Sequence, residues 1–313
     1  MKIKYTMKAL ALFLLLAGVS GLQAAAPVVA EPMIQTVFSS PEDAGKALAD
    51  AVRVEDVSAL LKVVGPKAKN WLFSGDPVAD RADWSNFLAA YEKKHGVVEA
   101  VAGKALLQVG DDGWTFPAPL IQKREGWVFD ATAGREEFLN RRIGSNELST
   151  IQTLLAVVDA QREYARGDLD GNGSHDYAQR IVSAPDKRDG LYWPAVAGQN
   201  ESPLGPLVAA AALEGYGKKT GGKPAAYHGY HYRILKGQGK AAPGGAYSYL
   251  AGDRMIGGFA VLAYPASYGV SGVMSFVVSH DGTVYQKNMG KNTASVAAGM
   301  RLYAPDSGWV KAE

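Results

Sequence analysis

Residues Asn146 to Tyr164 read NELSTIQTLLAVVDAQREY, and Asp168 to Ala178 read DLDGNGSHDYA. The first segment carries Leu148, Ile151, Leu154, Leu155 and Val158 on one stripe and Gln152, Asp159, Arg162 and Glu163 on the other side, the mark of an amphipathic helix. Ser145 or Asn146 is placed to cap its start, and Gly167 to end it. Beyond the Asp/Gly loop the chain reads as aromatic strands: Gly190 to Pro194, Tyr227 to Leu235, Ala246 to Leu250, Met255 to Tyr264, and a hairpin from Val273 to Lys287 turning at His280-Asp281-Gly282. A long helix laid on an antiparallel sheet buries the apolar face of each, so residues 146–313 are expected to form an α+β domain of that kind.

Upstream, Ser39-Ser40-Pro41-Glu42-Asp43 combines a serine cap, a proline at the first helical position and early acids, and Ala44, Ala47, Leu48 and Ala51 then share a face. A second helix, Val57 to Val64, stops at Gly65-Pro66, and a third runs from about Asp80 to His95 with Trp84, Phe87, Leu88 and Tyr91 at helical spacing. Strands come next at Lys104 to Val109, Trp114 to Ile121 and Gly126 to Asp130. Helices and then a curled antiparallel sheet predict a small α+β cone over residues 38–134, joined by a linker helix at 135–145 to the second domain.

The first 24 residues have the pattern of a secretory signal peptide: Lys2, Lys4 and Lys8, an apolar run from Ala9 to Ala17, and small residues at Ala24 to Ala26. Cleavage is expected after Leu22-Gln23-Ala24, with Val28-Val29-Ala30 as the second choice, leaving residues 25–37 as an extended leader. The apolar run is shorter than the ~20 residues of a membrane span, and no later segment is longer, so no span is expected after processing. Loss of three lysines takes the formal charge from +2 to −1, which gives nucleic acid no bulk attraction. The chain has no cysteine, which excludes disulfides and thiol catalysis. The expected location is periplasmic or extracellular.

Three resemblances rest on these residues. The helix-then-strand order of Phe38 to Ala133, ending in Gly126-Trp127-Val128-Phe129-Asp130, resembles the nuclear transport factor 2-like superfamily. Members often hold a ligand in the cone, and some use pocket acids as catalysts. The second half, with its Asn146-Glu147 opening, Ala160-Gln161 before Tyr164, Tyr268-Gly269-Val270-Ser271-Gly272, Phe276 and Asp281-Gly282, resembles the globular head of type IV pilins and pseudopilins, but lacks the processing site and apolar half-helix that pack their filaments. Over nearly all of the processed length the chain is similar to the domain-of-unknown-function family numbered 2950. That match rests on Ser74 to Arg81, Asp130 to Glu137, Lys187 to Pro194 and Gly229 to Leu235, and it implies no catalytic residue.

The sharpest chemical candidate is the loop. Asp168, Asp170, Asn172, Gly173 and Asp176 fall at positions one, three, five, six and nine of a calcium-loop pattern, where alternate oxygen donors can wrap a hard cation. Gln179 stands at the twelfth position in place of the bidentate glutamate, and an Asx and Gly turn that needs no ion is the alternative. His228 and His231 have a spacing that suits zinc on a helix, but in a strand they face opposite ways. Gly217 to Pro224 imitates a phosphate loop with proline at the magnesium-binding position, and reads as a mobile basic loop. No nucleophile elbow, S-x-x-K or H-E-x-x-H is present.

Asp76, Asp80 and Asp83 form a polar cluster around a helix start. Paired carboxylates there could do acid and base work, or simply cap the helix. Arg188, Tyr192, Trp193 and Tyr230 are either a contact surface or core packing. These features point to a non-enzymatic envelope protein that binds an envelope or secretion-related protein, or a surface polymer, through its second half. The alternative is a periplasmic hydrolase using first-domain acids, to be favoured by a pocket with two carboxylates of displaced pKa.

Overall fold

A computed structural model describes residues 33–196, 201–213, 216 and 226–312. Helix α1 (Pro41–Arg53) starts where Ser40 accepts the Asp43 N–H, and α2 (Val57–Val64) where Asp56 accepts from Ser58 and Ala59. A short 3-10 turn (Pro66–Ala68) and α3 (Lys69–Leu72) lead to α4 (Pro77–Lys93), capped by Asp76 three residues ahead of the expected start.

The first sheet is built from β1 (His95–Val101), β2 (Lys104–Val109), β3 (Trp114–Thr115), β4 (Leu120–Lys123) and β5 (Gly126–Phe129). Its order is β1-β2-β4-β5, antiparallel throughout, with β3 paired to the end of β2. The expected single strand from Trp114 to Ile121 is broken because Pro117 and Pro119 carry no N–H for a ladder. Leu107, Val109, Phe116, Leu120 and Phe129 bury themselves under Leu48, Phe87 and Tyr91 of the helices. Gly45 of α1 lies so close that a Cβ there would stand 2.9 Å from Leu107.

Helix α5 (Arg135–Tyr164) departs most from expectation. It runs unbroken through Gly144-Ser145-Asn146, so the expected linker helix and the expected second-domain helix are one rod about 45 Å long. The expected apolar stripe is also rotated. Leu148 and Leu155 are 62 % and 42 % exposed, while Arg142, Asn146, Thr150, Thr153 and Gln161 are buried beside Leu154, Val157 and Val158. Asn146 and Gln161 go inward because irregular backbone lies against the helix and needs partners, while Thr150 meets the Tyr232 hydroxyl and Thr153 bonds back to Ser149. Asn146 donates to the Ser271 carbonyl at 2.9 Å, and Glu147 accepts the N–H groups of Val273 and Met274, each at 2.9 Å. Gln161 both donates to and accepts from the backbone of Ala178, at 2.8 and 2.9 Å.

Beyond α5 come β6 (Arg180–Val182) and β7 (Gly190–Tyr192), a short parallel pair, then α6 (Gly205–Leu213) and β8 (Tyr230–Leu235). The small strands β9 (Gly237–Gln238), β10 (Tyr247–Ser248), β11 (Leu250–Ala251) and β12 (Arg254–Met255) pair locally. The main sheet is completed by β13 (Ala260–Pro265), β14 (Met274–Ser279) and β15 (Val284–Asn288), followed by α7 (Thr293–Gly299) and β16 (Val310–Lys311). Its order is β16-β15-β14-β13-β8, again antiparallel. Every residue from Ala260 to Ala263 is buried rather than every second one, so β13 is covered on both faces, and both α5 and α7 contact it. The chain is therefore α+β. From Ile34 onward it forms one compact unit, and among the described residues no helix is long and apolar enough to cross a membrane.

Replacing Gln161 with Leu keeps the volume but strands the buried N–H and C=O of Ala178. A loss of about 2–4 kcal/mol is expected in urea unfolding with an unchanged m-value. A loss below about 1 kcal/mol would show that the pair does not hold the Asp/Gly loop to the helix.

Candidate functional site

The three clustered aspartates have three different positions. Asp76 is buried: Oδ1 accepts from Val78 and Ala79 at 3.1 and 3.2 Å, and Oδ2 accepts from the Tyr216 hydroxyl at 2.7 Å and the Gly229 N–H at 2.9 Å. It both caps α4 and ties the first half to the turn before β8. Gly229 has a φ of +73°, and a Cβ there would stand 2.7 Å from the Asn146 amide, so this approach requires glycine.

Asp80 is buried one turn further on. Both its oxygens accept from the Ser74 N–H, and Arg142 lies 3.4 Å from Oδ1. Arg142, also buried, donates to the carbonyls of Trp71 and Leu72 at 2.7 and 2.9 Å and lies over the Phe138 ring at 4.6 Å. Burial pushes the Asp80 carboxyl above the usual carboxylate value, against the pull of Ser74 and Arg142, and the same burial draws Arg142 down. Desolvation thus outweighs the mutual attraction of this pair. Asp83 stands at the rim, 4.0 Å from Arg142. It shifts upward for the same cause, tempered by the 58 % of its side chain that water still reaches.

Asp83 opens onto a cleft of about 370 Å³ between α4, the β2–β3 end of the first sheet and α5. Its walls are the rings of Trp84, Phe87, Trp114, Phe116 and Phe138, and its polar groups are Asp83, Asn86, Asp112, Arg141, Arg142 and Ser145. Trp114 is partly open, with the Arg141 guanidinium 5.5 Å from its ring centre. That guanidinium is itself held by Glu137 at 2.6 Å and the Thr115 carbonyl at 3.2 Å. Sequence reasoning singled out only Asp83 here. The missing signal was the spacing of Phe138, Arg141, Arg142 and Ser145, which share a helical face only if α5 continues through Gly144.

The Asp/Gly loop closes on itself. Asp168 accepts from the backbone of Asn172 and Gly173, and the Asn172 amide donates to Asp170 at 2.9 Å and Asp176 at 3.0 Å. Among the described residues no group of three or more His, Cys, Asp or Glu side chains is placed to hold a metal. In this loop the Asn172 side-chain amide bridges the carboxylates of Asp170 and Asp176. A polar cavity of about 220 Å³ adjoins it, lined by Tyr164, Asp170, Asp176, Arg180, Asp189 and Lys236, and desolvation raises Asp170.

The sequence leaves Arg188, Tyr192, Trp193 and Tyr230 as either a contact surface or core packing. Trp193 and Tyr230 belong to the core of the second half, Tyr192 packs against it, and Arg188 lies over Trp193 at 5.4 Å. The Tyr230 hydroxyl donates to the Met274 carbonyl. His228 does not lie in a strand: with φ values of +49° and +73°, His228 and Gly229 form a turn between Tyr227 and Tyr230. The phosphate-loop imitation, 217–224, lies outside the described residues.

A family model described as "Protein of unknown function (DUF2950)" matches residues 35–312. The chain belongs to the DUF2950 family. Neither a curated protein nor a solved structure matches it significantly. Of the segments that carried the family likeness, Ser74 to Arg81 and Gly229 to Leu235 meet directly through Asp76 and Gly229.

Because the folded-state pKa of Asp80 is raised, this group takes up its proton in the folded protein at a higher pH than in the unfolded chain. Its contribution therefore favours folding most below the unfolded value of 3.8 and is lost as pH rises through the raised value. Relative to Asp80→Asn, wild type should gain stability as pH falls from 7 toward about 4, read by urea unfolding at several pH values. A wild type that loses ground to the variant on acidification would mean that the Arg142 attraction outweighs burial.

Proposed function

We propose that the chain is an exported binding protein without catalytic activity, whose aromatic cleft holds a ligand while the second half acts as the scaffold that fixes α5. The observation that carries this reading is the division of labour among the acids. Asp76 and Asp80 are committed to backbone donors, Tyr216 and Arg142, so of the three clustered acids Asp83 is the one beside the five aromatic rings, with Asp112 the other carboxylate of the lining. No second acid of the 76–83 cluster faces the cleft beside Asp83, and an apolar cleft with a few polar groups at its edge is the usual form of a ligand site. The order of helices and then antiparallel sheet around the cleft supports the likeness of this half to the nuclear transport factor 2-like cone. The basic and apolar leader supports delivery to the periplasm or beyond, where an envelope component or surface polymer is the natural partner.

The test joins two measurements on the processed protein. Saturation-transfer NMR against a fragment set should give binders that perturb the Trp84 and Trp114 indole signals and are lost in Trp114→Ala. Chromogenic ester, glycoside and phosphate substrates should be turned over no faster by wild type than by Asp83→Asn. Turnover abolished in Asp83→Asn would replace the binding reading with the hydrolase.

A further inference from the structure

The cleft's chemistry narrows what it can hold, and this step rests on the binding reading above. Its two guanidiniums are already engaged. Arg142 is held by the Trp71 and Leu72 carbonyls and Asp80, and Arg141 by Glu137 and the Thr115 carbonyl. Neither has the bidentate fork turned to a ligand that binding a phosphate or carboxylate requires. A cationic ligand fares no better, because Arg141 and Arg142 occupy positions over the Trp114 and Phe138 rings that a ligand cation would use. Glu137 and Asp80 already offset Arg141 and Arg142, so Asp83 and Asp112 leave the cleft edge negative, which repels an anion and suits hydrogen-bond donors.

The unspent carboxylates are acceptors, the Asn86 amide can accept or donate, and the buried Trp84 indole N–H has no partner among the described residues. Asn86 and Asp112 make no side-chain hydrogen bond to another described residue, and Asp83 has only the 4.0 Å approach of Arg142. A purely apolar ligand would cover these carboxylates without giving them partners, at a cost of several kcal/mol by order of magnitude. The ligand must therefore present an apolar face to the rings and several hydroxyl or amide donors at its edge. Sugar rings have both properties, with C–H faces that pack on aromatic rings and O–H groups that donate in pairs to carboxylates and amides.

We propose that the cleft lined by Trp84, Trp114 and Phe138 binds a neutral saccharide, stacked on Trp114 and hydrogen-bonded at its edge by Asp83, Asn86 and Asp112. The part-open Trp114, with the fixed Arg141 guanidinium 5.5 Å from its ring centre, is the platform. Asp83 and Asp112 are the acceptors that set which hydroxyls fit.

The test uses the whole processed chain. Neutral tetrasaccharides of glucose, mannose and N-acetylglucosamine are titrated while tryptophan fluorescence is followed, and insoluble glucan, mannan and peptidoglycan are used in co-sedimentation. Saturable binding to a tetrasaccharide, roughly tenfold weaker in Trp114→Ala and about fivefold weaker in Asp112→Asn, supports a free saccharide. Co-sedimentation alone, lost in the same variants, supports a chain within a polymer. Circular dichroism of both exposed-site variants checks that they fold. If no saccharide binds but Nile red enters the cleft and is displaced in Trp114→Ala, the saccharide assignment falls and the binding reading stands. If neither saccharide nor dye binds, both fall.

Discussion

The guanidinium of Arg142 is the point on which the molecule is assembled. It sits buried at the C-terminal end of α3, where the last carbonyls of a helix have no partner within it, and it takes two of them together with the charge of Asp80. One turn later on the same helix, Asn146 and Glu147 take the backbone of Ser271, Val273 and Met274. A single rigid rod thereby places the helices of the first half and the main sheet of the second by hydrogen bonds rather than by apolar packing alone. Such contacts are directional and fix register, and burying the ions that make them is costly: both members of the Arg142–Asp80 pair shift in the direction that burial dictates.

That constraint shapes the cleft. Arg142 lines it, yet its donors are turned away toward α3, so the positive charge beneath the rings is already neutralised when a ligand arrives. Arg141, one position earlier and over the Trp114 ring, is held just as firmly. Two arginines next to each other in sequence would ordinarily suggest an anion site. Here they are structural members of an aromatic wall.

The α+β class, the positions of α1, α2 and β2, and the hairpin at His280-Asp281-Gly282 were legible because capping residues, glycine turns and apolar runs act locally. The face of α5 was not. Hydrophobic periodicity put Leu148 and Leu155 inside, but much of the surface opposite is loop backbone, which selects Asn146 and Gln161, while Thr150 accepts from the Tyr232 hydroxyl of β8. Gly144 looked like a helix break for a related reason. Its propensity cost is only about 1 kcal/mol, and the anchors at Arg142 and Asn146 on either side outweigh it. Strand β1 escaped notice because six of its seven residues are exposed, so it has no alternation to read.

Asp76, Asp80 and Asp83 show why a cluster of acids in sequence is poor grounds for chemistry. Three carboxylates within eight residues on one helix start come to rest as a cap tied to the second half, a buried counter-ion, and a rim group over a cleft. What separates them is the count of donors each meets once folded, a property of the neighbouring chain and not of the local sequence. A carboxylate with both oxygens occupied by backbone N–H groups has its geometry fixed for the lifetime of the fold and cannot turn to a substrate. The acid left unspent by that accounting is the one whose neighbours are rings, and rings select ligands by shape and face rather than by reaction.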